Sequence, residues 1–128
     1  MWSDVIDYYE IRSAGPYVGT AKTEVIKAQF DKLPEIQRQG LIEYKGIGNY
    51  IGISFCLIKG NNGNYALDHD TWTEEFNMIP IICAKSENGK TPQYHISFLI
   101  RLARILNWEL INEENDAGEE NVILWQPQ

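Results

Sequence analysis

Between residues 20 and 33, apolar side chains recur at Ile26, Phe30 and Leu33, spacings of four and three that gather them on one side of a helix while Lys22, Lys27 and Lys32 point elsewhere. Pro34 ends or bends this helix, and Gly40 offers the chain an exit. A stronger helical pattern covers 92–107, where nearly every position from Tyr94 to Leu106 is apolar except Ser97, Arg101 and Arg104, which share one stripe. Such a helix is mostly buried; Thr91 suits its N-cap and Pro92 its first position. Elsewhere the period is two. Residues 5–11 read as a strand that Gly15, Pro16 and Gly19 end. Residues 41–47 and 50–58 read as strands joined by Gly48-Asn49, a two-residue hairpin loop, with Ile51, Ile53, Phe55 and Leu57 on one face. A turn at 60–63 leads to a short strand near Tyr65, and 78–84 is a further strand that Pro80 assigns to an edge or a bulge. Finally, 108–111 and 122–125 bracket the turn residues 115–118 as a closing hairpin.

Most of these strands are joined by connections too short for a parallel crossover. The pattern therefore predicts an α+β fold, a mainly antiparallel twisted sheet of five or six strands with two helices packed on one face. At 128 residues and 44% apolar content, residues 1–128 are expected to form one domain around one core. The start of the chain carries no basic region or apolar run of signal length, and no stretch is apolar enough to span a bilayer, which points to a cytoplasmic protein without membrane partners. Cys56 and Cys83 lie in apolar stretches and read as small buried hydrophobes in a reducing compartment, a disulfide being the minor alternative.

Charge changes the picture. From Asn107 to Gln128 there are six acidic residues and no Lys or Arg: Glu109, Glu113, Glu114, Asp116, Glu119 and Glu120. Of the 18 acidic residues these six leave 12 against all 11 basic ones in residues 1–106, so nearly the whole net charge of −7 is local. An acidic end on a nearly neutral body repels phosphate and attracts a basic surface. The Lys22, Lys27, Lys32 face with Arg38 is diluted by Glu24 and Asp31 and lacks interleaved aromatics, so it predicts a solvated helix face and no nucleic-acid partner.

Candidate chemistry is sparse. The stretch Ala84-Lys85-Ser86-Glu87-Asn88-Gly89-Lys90-Thr91 resembles a permissive phosphate loop between a strand and a helix, in which Lys90 would meet phosphate and Thr91 Mg²⁺. Pro92 removes an amide at the helix start, few residues follow, and 122–125 ends without a metal-binding Asp, so a polar turn is the better account and no cofactor is expected. Asp68, His69, Asp70, Trp72, Glu74 and Glu75 form the densest set of potential ligands, read as a solvated loop or helix start or as a binding surface. His95 falls on the Leu99, Leu102, Leu106 side of its helix and reads as a hydrogen-bonded core residue. Neither cysteine has a basic neighbour, and Ser54 and Ser97 lie outside any nucleophile turn. Trp2, Tyr8, Tyr9, Tyr17, Trp72 and Trp125, at chain ends or beside loops, either close the sheet core or anchor an interface.

In residues 98–114, Phe98, Leu99, Ile100, Leu102, Ala103, Ile105 and Leu106 form an apolar helix that runs into Trp108-Glu109 and on to Glu113-Glu114. This segment resembles the closing segment of small acidic bacterial proteins, among them immunity proteins that neutralise toxins. The resemblance implies a catalytically inert protein that occludes a toxin's working surface with carboxylates. The expected function is thus a non-enzymatic module for a basic protein partner, with a small-molecule or structural binding domain as the alternative and a small enzyme behind it. The expected partner-binding residues are Glu109, Glu113, Glu114, Asp116, Glu119 and Glu120, together with Asp68, Asp70, Trp72, Glu74 and Glu75.

Overall fold

A computed structural model describes residues 5–13, 19–60, 72–114 and 118–127; the expected strand near Tyr65 and the turn at Gly15-Pro16 lie outside them. In chain order the elements are β1 (Ile6–Arg12), β2 (Ala21–Lys22), α1 (Thr23–Phe30), β3 (Ile36–Arg38), β4 (Glu43–Gly46), β5 (Ile53–Cys56), β6 (Glu75–Phe76), β7 (Met78–Ala84), α2 (Gln93–Leu106), β8 (Glu109–Glu114) and β9 (Glu120–Trp125). Seven strands form one antiparallel sheet in the order β3-β4-β5-β7-β1-β8-β9, and β2 pairs with β6 beside it.

Register carries one row of side chains across the sheet: Tyr44 opposite Phe55, Phe55 opposite Ile81, Ile81 opposite Tyr9, Tyr9 opposite Asn112. Directly opposed residues share a face, and both helices lie over this one. Phe30 of α1 meets Tyr44 and Phe55 edge-on at 5.7 and 5.8 Å. The lead-in to α2 is tied to β1 because the Tyr9 hydroxyl donates to Thr91 Oγ1 at 3.0 Å, and Thr91 in turn donates to Asp7 Oδ2 at 2.5 Å. Phe98, Leu99, Leu102 and Ala103 then bury the apolar side of α2 in the same cluster. Burying each large apolar side chain contributes about 1.5–3 kcal/mol, so this inner layer holds most of the stabilisation.

Several expectations need correction. The sheet has seven strands rather than five or six because residues 36–38, starting six positions past the end of α1, return as the edge strand β3 instead of leading out at Gly40. Lys27 does not point away: it is only 6% exposed, its stem buried while its ammonium reaches Glu24 Oε1 at 3.6 Å. The link between β4 and β5 is not a two-residue loop but a 3₁₀ turn at Gly48–Tyr50, whose Tyr50 ring packs on Phe98 and His95. That turn throws Ile51 out to 72% exposure, off the face of Ile53 and Phe55. It also presses Tyr50 onto β4, where a Cβ at Gly46 would sit 1.8 Å from the Tyr50 carbonyl oxygen, so only glycine fits. Thr91 does not cap α2 with its hydroxyl, which is spent on Asp7.

Pro80 lies in β7, one of the central strands, with a partner on each side. The amides of Met78 and Ala84 both point to β5, donating to the Ile58 and Gly52 carbonyls. Position 80 has the same parity, so the N–H that proline lacks belongs to the β5 side. There the ladder stops at Phe55 opposite Ile81 and resumes only as the single bridge Ile58 to Met78.

Candidate protein-binding site at the acidic hairpin

The closing hairpin forms because β8 supplies Leu110, opposite Ile11, to the core and buries Ile111 opposite Glu10 on the other face, while β9 pairs along it with a bulge between Leu110 and Ile111. Its carboxylates fall into three environments. Glu109, expected on the partner surface, is 8% exposed, because register sets it opposite Arg12 at the base of the hairpin; it does not belong to the accessible acidic set. Glu113 is half-buried, and its carboxyl is raised above the usual carboxylate range, first by burial and then by the charge of Glu10, with Arg12 opposing. Glu114 and Glu120 are exposed and directly opposite one another across the strands, and exposed Glu119 precedes Glu120. Asp116 lies outside the described residues.

Glu10 and Arg12 were not legible as neighbours of this hairpin, although alternation in β1, with Tyr9 and Ile11 turned inward, would have put both on the opposite face. The Arg12 guanidinium lies 3.9 Å from Glu10. These charges are enclosed at the middle of the sheet, whereas the exposed carboxylates of Glu114, Glu119 and Glu120 lie at the tip.

The second expected group splits from the first. Asp68 and Asp70 lie outside the described residues. Trp72 is 42% exposed and its indole N–H donates to Glu24 at 3.0 Å; the Glu74 carbonyl accepts from the Thr23 amide at 2.9 Å; Glu75 stands opposite Lys22 in the small sheet. This segment is therefore fastened to the start of α1. Phe76 packs edge-on against Trp108 at 5.6 Å, which places the segment near the base of β8. Glu114 lies five residues beyond Glu109, roughly 17 Å along an extended strand, so the two acidic groups do not form one site.

The phosphate-loop resemblance dissolves on inspection of its donors. The Ser86 amide donates to the Lys90 carbonyl and the Gly89 amide to the Ser86 carbonyl, both at 2.9 Å, and the Lys90 amide to Asn88 Oδ1 at 3.1 Å. These amides close a tight turn on itself and face no shared concavity. Both cysteines are buried and free, and burial pushes their thiols up to about 12, which keeps them protonated. His95 is a core residue, its Nε2 sharing the Asn49 carbonyl with the Tyr94 hydroxyl at 2.9 and 3.0 Å. Among the described residues no three His, Cys, Asp or Glu side chains are grouped to hold a metal, and no helix is long and apolar enough to cross a membrane. In comparisons with known proteins, the chain matches no family model, no curated protein and no solved structure.

Proposed function

We propose that this protein is a non-catalytic binding module, an inhibitor or immunity protein that meets a basic protein partner, such as a toxin domain, with the tip of the β8–β9 hairpin. The observation that carries the reading is Glu114 set directly opposite Glu120. Like charges at opposed positions destabilise a hairpin by a few tenths to about 1 kcal/mol. A basic surface docking there relieves it, and the local field steers such a partner in, raising the on-rate more than the affinity.

The test uses the whole chain as bait in a pull-down from its native organism, beside a variant carrying Glu114→Gln, Glu119→Gln and Glu120→Gln. Mass spectrometry should identify a basic protein retained by the wild type at low salt and depleted with the variant. Surface plasmon resonance with that protein should then show a slower on-rate for the variant, a difference that high salt erases. An identical on-rate at low salt would leave the carboxylates a solubility role only.

A further inference from the structure

The face of the sheet turned away from the helices is buried around Met78, Glu10 and Ile111, but towards Ala84 it opens and carries a second ordered row, one residue out of step with the core row. Lys45 stands opposite Ser54, Ser54 opposite Ile82, and Ile82 opposite Tyr8. Continuing the β1–β8 register one step past Tyr9 and Asn112 sets Tyr8 against Glu113. Tyr8 and Ile82 are 41% and 39% exposed, and Lys45 is exposed at the far end. Alongside runs a parallel row of Gly52, Ala84 and Ile6: Ile6 is opposite Ala84, whose amide donates to the Gly52 carbonyl at 3.0 Å. An antiparallel sheet with one wet face is expected to show polar side chains there; an apolar centre between two opposite charges is a different pattern.

From this we infer that this open end of the outer face is a self-association surface, and that its occupant is a second copy of this chain packed sheet on sheet there about a two-fold axis running along β7. A half-turn about that axis reverses the row. Ile82 and Ala84 then meet their own copies on the axis, Tyr8 faces Ser54 of the other copy, Ile6 faces Gly52, and Lys45 faces Glu113. Off the axis each large side chain meets a small one, Tyr8 on Ser54 and Ile6 on Gly52, and each positive end meets a negative one, as a self-complementary isologous interface requires. Because the axis runs along the strands, the two sheets pack in the aligned fashion, about 10 Å apart, a gap that a Lys and a Glu side chain can bridge. The net charge of −7 per copy does not oppose this. The acidic tips lie at opposite lateral edges, roughly 19 Å apart between their β8 strands and roughly 29 Å between their β9 strands at about 4.8 Å per strand, beyond the screening length of about 8 Å at physiological salt. A uniformly basic partner, by contrast, would bring its charge against Lys45. This surface is therefore separate from the acidic tip, and the inference stands or falls without the proposed function.

The test is sedimentation velocity on the whole chain from about 10 µM to about 500 µM, the range in which a small interface associates. Wild type should pass from monomer to dimer across it. Lys45→Glu and Glu113→Lys should each weaken dimerisation about tenfold or more, because each homodimer then opposes like charges twice. A one-to-one mixture of the two should dimerise like wild type, since both contacts are again opposite in sign. Ile82→Lys, a change at an exposed site on the axis, should abolish association on its own; circular dichroism melts confirm that each variant is folded. A wild type that stays monomeric throughout, variants that associate as the wild type does, or a mixture no better than its components would each overturn the inference.

Discussion

Tyr9 and Tyr8 are neighbours in one strand, yet they belong to two different molecules in physical terms. Tyr9 is sealed under α2 with its hydroxyl bonded to Thr91, and burial raises that phenol above its ordinary value. Tyr8 stands in an open row between Ile82 and Glu113. The same holds one strand over for Ile81 and Ile82, and two strands over for Phe55 and Ser54. One row is packed tightly enough to specify the fold; the other, a residue away, is left free to specify an encounter. Strand alternation makes this separation possible, and it means that a one-residue slip in pairing would exchange the two functions outright.

The comparison can be broken by substitution. Phe55→Ala should cost about 3–5 kcal/mol and Leu102→Ala about 2–5 kcal/mol in urea melts, whereas Ile82→Ala should stay within about 0.5 kcal/mol. Comparable losses on both faces would mean that the outer row is structural. Next in size is Thr91→Val, which leaves Asp7 and the Tyr9 hydroxyl facing a methyl group; about 1–3 kcal/mol should be lost, and Tyr9→Phe in the same background should then cost less than it does alone. Arg101 sits on the wet side of α2, paired with Glu35 at 2.6 Å but with its side chain 48% exposed. Arg101→Ala should therefore cost less than about 1 kcal/mol and less still in high salt.

The smallest effect is a matter of sign. Glu113 holds its proton more tightly in the folded protein than in the unfolded chain, so stability falls as pH rises from the ordinary value of 4.5 towards the raised one. Glu113→Gln removes that penalty. Denaturant midpoints taken at dilute protein should favour the variant slightly at pH 7 and converge below pH 4.5; a wild type that is the more stable at pH 7 would show that Arg12 outweighs both burial and Glu10.

How much of this could be read from the sequence follows from what each feature depends on. Helix α2 and the closing hairpin were legible because their signals, a filled apolar face and a turn between two apolar runs, are local. Ile26 and Phe30 were legible for the same reason. Lys27 was not, since a long stem can lie in the core while its head leaves it. The burial of Glu109 depends on Arg12, almost a hundred positions away, and no pattern around Glu109 announces the pairing. Pro80 reads as an edge or bulge residue only under a rule that treats every central ladder as unbroken. The acidic tip was anticipated as charge, but the opposition of Glu114 and Glu120 and the row from Lys45 to Glu113 exist only once the register is known. The reading as a protein-binding module thus rests on a charge pattern visible in the chain and a geometry that is not.

The gap at Pro80 has a consequence for how the molecule breathes. Between β5 and β7 the ladder holds three consecutive pairs, from Ile53 opposite Cys83 to Phe55 opposite Ile81, before proline interrupts it. On one side lie β3, β4 and β5, joined in sequence by short turns; on the other lie β7, β1, β8 and β9. A seam of this kind is where a sheet divides into separate cooperative units. Amide hydrogen exchange should accordingly find the β3–β5 block opening as a group at a lower free energy than β1 and β7, so that the sheet, continuous to the eye, unfolds as two.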